Sequence, residues 1–481
     1  MIKRRREPSD GTGSTVTSSR PSLAVGDVIA LEVTGLLQNG QGLGRVDGLV
    51  VFTWGPLPGE RATARVTEVK AKYAVAETIE ITQRSADRVE PFCPLFGVCG
   101  GCQVQHLDYQ AQLRWKRTLV EDALHRIGGL RDVAVAPTIG MDEPRAYRNK
   151  TALVVQHGDE GPTFGFYRLR THAVVSVEHC PVAVPALDDA IGALRNAARE
   201  PAAREAFAEA RHVVMRFAPS NGEGVAAITT RRRDEVLRAA APALAAALPG
   251  VVGIANSYDP AGENAVLGRR TEAMYGRQEI EETVAGLRFG VSSHSFFQIN
   301  GHMLEEIFAR LRPLVRPGSA LVDLYCGPGT FALFFAACGA SVVGIEEDPN
   351  AVREARANAN RNGLAERVRF LAGRVERSLG KGEAGARALH EADVAFLDPP
   401  RKGSDEATLG AIAAARVPEI WYLSCNPATL ARDLAQLAGA GYAVGDVQPF
   451  DMFPQTGHVE TLVRLRLDPA AEAARGAAVA P

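Results

Sequence analysis

The chain predicts a multi-domain α/β protein: a small OB-like N-terminal β-barrel, a central α+β domain and a C-terminal, doubly wound Rossmann-like sheet. Three observations predict it. Residues 22–82 hold short strand-like runs split by Gly and Pro turns, the pattern of a small barrel. Residues 130–290 mix strand runs with Ala-rich helical stretches, which suits an α+β domain. From about 291, strands and helices alternate, and such alternation means a mostly parallel sheet covered by helices.

Bulk numbers narrow the class. A chain of 481 residues is too long for a single core. The net charge of −2 gives no general argument for nucleic acid, so any basic surface must come from local patterning. No apolar run is long enough for a membrane span. The basic start, Met1 to Arg6, has no apolar segment after it and is not a secretory signal. Residues 1–21 are expected as a disordered lead-in and 468–481 as a loose tail. Seven unevenly spread cysteines do not form a disulfide framework, which points to a reducing cytoplasm.

Within 22–82, strands are expected at 28–33, 49–52, 61–69 and 73–81, with turns at 40–44 and 56–60. The central domain is bounded at 83–290. It opens with three cysteines and a helix over 110–127, whose Leu113, Leu119, Val120, Leu124 and Ile127 fall at helical spacing. Gly128-Gly129 ends that helix. Strands with a hairpin near 158–161 fill 147–177, Ala-rich helices occupy 183–210 and 232–248, and strands 212–217 and 225–228 lie between them. In the C-terminal domain, 291–467, helices are expected at 301–312, 331–338 and 350–361. Strands are expected at 320–323, 341–346, 368–371, 394–397, 420–423 and 461–465.

The loop after the first of these strands reads Asp323-Leu-Tyr-Cys-Gly-Pro-Gly-Thr330. Glycines there let the backbone approach a nucleotide-type cofactor, and Glu346, ending the next strand, is placed for ribose hydroxyls. The glycine pattern alone equally suits a dinucleotide. Asp323 before the loop resembles the first motif of methyltransferases, and Asp398-Pro-Pro closes the fourth strand where methyltransferases place a substrate- or cofactor-facing acid; that likeness favours S-adenosylmethionine. A Pro-Pro pair also simply ends a strand.

Ser424-Cys425-Asn426-Pro427 follows the next strand, at the sheet edge where such folds bind ligands. Carbon 5 of a pyrimidine has no lone pair to accept a methyl group. A thiolate adding to carbon 6 makes carbon 5 nucleophilic, and a base must then remove the carbon-5 proton so that the thiol can leave. Cys425 suits the first task. Glu460, beginning the last strand, suits the second, with Asp451 as its rival. Free cysteines are more often small buried hydrophobes. Cys338 is read that way, and Cys326 is either packing or a second nucleophile. Cys425 differs because its polar turn is a poor place for packing.

Cys93, Cys99 and Cys102, with the remote Cys180 before a proline, make a set of four thiolates. Four thiolates can hold zinc or an iron–sulfur cluster. The x5-x2 spacing favours a four-iron cluster, and Gly100-Gly101 gives the tight turn a ligand loop needs. Two stretches, Arg145-Ala-Tyr-Arg-Asn-Lys150 and Gly165-Phe-Tyr-Arg-Leu-Arg170, interleave basic and aromatic residues, as single-stranded RNA binders do.

In order and spacing, Phe296-Phe-Gln-Ile-Asn300, Asp323 to Thr330, Asp398-Pro-Pro-Arg-Lys-Gly403, Ser424 to Pro427 and Gly457-His-Val-Glu460 resemble the RNA uracil-5-methyltransferase family. The cysteine spacing resembles its iron–sulfur-containing 23S ribosomal RNA branch. Residues 22–82 resemble the TRAM domain, and the resemblance spans about 22–467. It implies a class I methyltransferase domain over 291–467 and a target uridine in a single-stranded loop or bulge, flipped out to reach Cys425. It further implies S-adenosylmethionine binding by Gln298, Tyr325, Glu346 and Asp398, Cys425 as nucleophile and Glu460 as proton acceptor. A [4Fe-4S] cluster would be held by Cys93, Cys99, Cys102 and Cys180, in a structural or RNA-positioning role. Thr330 departs from the asparagine some members carry. The other readings are a transfer-RNA target, whose branch usually lacks barrel and cluster, and a non-catalytic iron–sulfur RNA-binding protein. A radical enzyme would need a C-x3-C-x2-C triad, which is absent. No membrane association or obligate protein partner is expected.

Overall fold

The computed structural model describes residues 23–159, 161–259 and 266–468; the expected lead-in and all but the first residue of the expected tail lie outside them. The chain divides into two compact units, one ending at Arg88 and one beginning at Val89.

The first unit is a closed barrel of β1 (Val28–Leu36), β2 (Gln41–Val46), β3 (Leu49–Trp54), β4 (Arg61–Val69) and β5 (Tyr73–Gln83), ordered β1-β2-β3-β5-β4. Alternation sends Ile29, Leu31 and Val33 of β1, and Ala62, Ala64 and Val66 of β4, inward. The expected turn at 40–44 is mostly strand β2. Its glycines serve close approach: a Cβ on Gly44 would stand 2.2 Å from the Glu32 carbonyl oxygen, and one on Gly42 2.6 Å from that of Pro56.

The second unit begins with the cysteine loop and α1 (Tyr109–Arg126), capped by the Asp108 carboxylate. A seven-stranded sheet follows, ordered β12-β11-β10-β9-β6-β7-β8. Its elements are β6 (Lys150–Gly158), β7 (Gly161–Tyr167), β8 (Val174–Ser176), α2 (Pro185–Ala197), α3 (Pro201–Arg204), β9 (His212–Phe217), β10 (Gly224–Thr230), α4 (Glu235–Ala247), β11 (Val251–Tyr258) and β12 (Arg270–Gly276). Leu187, Leu194, Leu237 and Leu244 of α2 and α4 share one core with its strands. The hairpin β13 (Glu279–Val284) and β14 (Leu287–Ser292) comes next. β11 to β14 go beyond the strands the sequence pattern reveals.

The last sheet runs β17-β16-β15-β18-β19-β21-β20. In chain order its elements are α5 (Gly301–Leu311), β15 (Ala320–Leu324), α6 (Thr330–Ala337), β16 (Ser341–Glu346), α7 (Pro349–Arg361), β17 (Val368–Ala372), α8 (Val375–Ser378) and α9 (Ala384–Glu391). There follow β18 (Val394–Leu397), α10 (Glu406–Ala415), β19 (Glu419–Ser424), α11 (Pro427–Gly439), β20 (Tyr442–Phe450) and β21 (Glu460–Leu467). Five strands are parallel, and β21 runs antiparallel to β19 and β20. Phe331, Phe335, Phe396 and Trp421 pack together beside the sheet and fix α6 against β18 and β19. Truncating a buried ring such as Phe396 would cost about 3–5 kcal/mol.

α1 lies against α11 and β20 of this sheet. Its buried positions are Ala111, Gln112, Lys116, Val120, Ala123 and Leu124. The expected apolar stripe is therefore rotated: Leu113 and Leu119 are only half-buried and Ile127 is exposed. The physical reason is that Gln112 and Lys116 find buried hydrogen-bond partners in the chain between β20 and β21. Among the described residues, no helix is long and apolar enough to cross a membrane.

Candidate active site

Strand direction builds the site. β15, β16, β18 and β19 end at one edge of the sheet, and antiparallel β21 begins there. Ser424 of β19 pairs with Thr461 of β21, so Cys425, just past one strand, and Glu460, the first residue of the other, meet at that edge. Asp398, just past β18, completes the group.

The Ser-Cys-Asn-Pro turn is a strand-to-helix cap. The Asn426 amide donates to Ser424 Oγ at 3.2 Å, Asn426 Oδ1 accepts from the Ala428 amide at 3.0 Å, and Pro427 opens α11. Capping thus explains the residues around Cys425 and leaves its thiol half-buried. Burial, then Glu460 and Asp398, push that thiol up to about 11, and Arg401 opposes them. Burial, then Asp398, raise the Glu460 carboxyl far above the ordinary range, again against Arg401. Burial raises Asp398 likewise. Carboxyls this close titrate as a group.

Arg401 is tied at both ends. Its carbonyl accepts from Asn426 Nδ2 at 3.0 Å and Thr429 Oγ1 at 3.2 Å, and its guanidinium donates to the His458 ring at 3.2 Å. Arginine has no acceptor, so His458 must accept. Burial, then Arg401, hold His458 down at about 4, which keeps it neutral.

In the glycine loop, Gly327 and Gly329 take positive φ of 54° and 86°. The Gly327 and Asp348 amides donate to the two Glu346 carboxylate oxygens at 3.0 and 2.9 Å. Tyr325 adopts φ +66°, a strained conformation for a bulky residue, and its hydroxyl lies 3.1 Å from Ser404 Oγ. Asp323 is wholly buried with no well-placed hydrogen-bond partner, and burial, then Asp398, hold its carboxyl well above the usual range. A buried acid of this kind beside a glycine loop fits a site for a cationic cofactor group. Cys326 is packing: it is buried, and a Cβ on Gly344 would stand 2.8 Å from its sulfur. Gln298 lies on the segment entering α5, whose Asn300 Nδ2 donates to the Met452 carbonyl at 3.2 Å.

Asp451 is not a free base. It is fully buried in an ion pair with Lys116, Nζ to Oδ1 2.5 Å. Cys338 is half-buried at the end of α6.

The four remaining cysteines are electrostatic neighbours. Burial first, and then Cys180 and Cys99, raise the Cys102 thiol to about 12; Cys93 acts on Cys99, and Cys99 on Cys180. Among the described residues no trio of Cys, His, Asp or Glu is set to hold a single metal ion. As donors, four thiols are a set that either zinc or an iron–sulfur cluster takes. The two basic–aromatic stretches divide. Tyr147 is buried with its hydroxyl on the Pro454 carbonyl at 2.9 Å, and Asn149 is buried, so neither is open to a base. Tyr167 is exposed, and the Gly100 amide donates to its carbonyl at 3.0 Å.

Sequence reasoning passed over Arg401, His458 and Lys116. The first two stand inside quoted motifs, where their charge could have marked them. Lys116 lies in the helical stretch, where the apolar stripe hid it.

Residues 108–467 match the profile of the tRNA (uracil-5-)-methyltransferase family, and residues 23–79 that of the TRAM domain. An uncharacterized RNA methyltransferase of Halalkalibacterium halodurans is 38% identical over 450 residues, covering 92% of this chain and 97% of that protein. One of Thermosynechococcus vestitus is 37% identical over 447 residues, covering 92% and 98%. The crystal structure of Pyrococcus abyssi tRNA (uracil-54, C5)-methyltransferase in complex with S-adenosyl-L-homocysteine superposes with a TM-score of 0.72 at 25% identity, covering 91% of this chain and 99% of that one.

Proposed function

The chain belongs to the tRNA (uracil-5-)-methyltransferase family and is an S-adenosylmethionine-dependent RNA (uracil-C5) methyltransferase, and from that premise we propose that it modifies a uridine of 23S ribosomal RNA in the cytoplasm, with Cys425 as nucleophile and Glu460 as base. The observation that carries the residue roles is the Ser424–Thr461 register, which sets thiol and carboxyl at one sheet edge.

Cys425 Sγ adds to carbon 6 of the flipped uracil, and carbon 5 gains the electron density to take a methyl group. S-adenosylmethionine supplies that methyl on a sulfonium centre. Glu460 then takes the carbon-5 proton, and the electron pair released expels the thiolate and restores the ring double bond. Its raised proton affinity suits a base working near neutral pH. The free enzyme holds Cys425 as a thiol, and Arg401 favours its ionisation. Gln298, Tyr325, Glu346 and Asp398 would bind the cofactor, with Glu346 ordering the Gly327 amide. Cys93, Cys99, Cys102 and Cys180 would hold a [4Fe-4S] cluster that stabilises the loop before α1.

The barrel and the exposed Tyr167 support RNA as the partner. A transfer-RNA target is favoured by one finding: the archaeal transfer-RNA enzyme covers 91% of this chain, which residues 83–481 alone could not supply. The barrel therefore does not discriminate the two. The test is methyl transfer from labelled S-adenosylmethionine to separate 23S, 16S and transfer-RNA pools lacking 5-methyluridine. Label as 5-methyluridine in 23S RNA is expected. Label only in transfer RNA would overturn the ribosomal assignment.

A further inference from the structure

The stretch between β20 and β21 carries His458 and leads into Glu460, yet it has no regular structure of its own. Its geometry must be imposed from outside, and Gln455 is where the ties converge. Gln455 is 3% exposed and takes φ +70°, a left-handed conformation that costs a non-glycine residue about 1–2 kcal/mol. All of its polar groups are bonded. Its carbonyl accepts from the Gln103 and Val104 amides at 3.0 and 3.1 Å. Its own amide donates to Gln112 Oε1 at 3.1 Å, while its Oε1 accepts from Gln112 Nε2 at 2.9 Å. Its Nε2 donates to the Pro144 carbonyl at 3.3 Å.

A strained, buried, fully bonded glutamine is expensive for packing alone. Gln112 is equally unusual: a 1% exposed amide on a helix, whose two Nε2 hydrogens are shared among Gln455 Oε1 and the Val104 and Leu107 carbonyls at 2.9, 3.1 and 2.8 Å. We propose that Gln455, clasped by Gln112 and by the cysteine-loop amides, is a positioning residue that sets the approach of Glu460 to the carbon-5 proton. The inference rests on the reading of Glu460 as base. It makes proton removal depend on the cysteine loop without any redox step.

The test uses Gln455→Gly, which keeps the backbone conformation and deletes the side chain, and Gln112→Ala as a second variant with the strained backbone untouched. Both are compared with Glu460→Gln in the full-length enzyme on whichever RNA pool lacking 5-methyluridine the wild type methylates. The readouts are turnover, KM for RNA, and the fraction of RNA in a denaturation-resistant covalent adduct. Misplacing a base by about 1 Å should lower kcat about tenfold to a hundredfold. KM should stay within about twofold, and adduct should build up as proton removal becomes slow. If Glu460→Gln accumulates adduct while neither glutamine variant does, and their turnover falls only with the folded fraction, the positioning role is overturned and the base assignment stands. If Glu460→Gln itself gives normal turnover without adduct, the base assignment fails and takes the proposal with it.

Discussion

Lys116 on α1 and Asp451 beyond β20 form an ion pair with neither side chain exposed, and Lys116 Nζ also donates to the Phe453 carbonyl at 3.1 Å. Burial lowers the proton affinity of the lysine, and Asp451 offsets it; burial raises that of the aspartate, and Lys116 offsets it. The pair is a structural tie to the chain that leads into Glu460, so Asp451 is a poor candidate for proton removal.

Removing one partner leaves an uncompensated buried charge. Lys116→Met should therefore destabilise the protein by about 3–5 kcal/mol, whereas Lys116→Met with Asp451→Leu should recover most of the loss. Denaturant unfolding of the three proteins checks this. Equal instability of single and double variants would show that the ion pair is not the cause.

Cys425 should be a sluggish nucleophile in the free enzyme. With its thiol pushed up to about 11, alkylation by iodoacetamide should rise about tenfold per pH unit between pH 7 and 9. Arg401→Gln removes the cation that opposes the two acids and should slow alkylation at fixed pH by about three- to tenfold. Mass spectrometry of the Cys425 peptide gives the rates. A plateau below pH 9 would mean an already ionised thiolate.

Glu460 and Asp398 should make stability fall as pH rises. Their folded-state proton affinities are raised, so between the unfolded and folded values the native state binds more protons. The penalty is absent in acid below the unfolded values and grows up to the raised ones. Glu460→Gln should thus gain in melting midpoint relative to wild type between pH 5 and 8. A gap that narrows over that range would contradict the burial of an ionisable pair.

Protein prepared without oxygen should carry about four irons per chain and absorb broadly in the visible. Cys102→Ser should lose them and expose the loop before α1 to protease. One zinc per chain in the wild type would refute the cluster.

Legibility in the sequence followed the range of the interactions. The strand–loop–helix rhythm after 291 and the polar turn at Cys425 are local, because turn chemistry acts over a few residues, and both were readable; that the turn caps α11 was not. Strand β2 was misread as a turn because glycine signals both turning and close approach, and only the Glu32 backbone beside Gly44 decides which. Strand β20 carries no clean alternation, being mostly buried on both faces toward its end. The burial of Tyr147 was unreadable too, since its partner Pro454 is remote in sequence.

By itself, then, the sequence determined the chemistry on offer: a thiol in a polar turn, acids at strand ends, a glycine loop and a set of four cysteines. Spacing and residue type suffice for that. Tertiary structure decided which of these groups meet. The antiparallel entry of β21 beside β19 puts Glu460 at the edge with Cys425, while Asp451, just past β20 at the same edge, is taken up by Lys116. The buried polar face of α1 holds the chain between β20 and β21 in one conformation. The ties from α1 join residues 343 and 335 positions apart, where burial strips away water and leaves each polar group only the partners the fold provides.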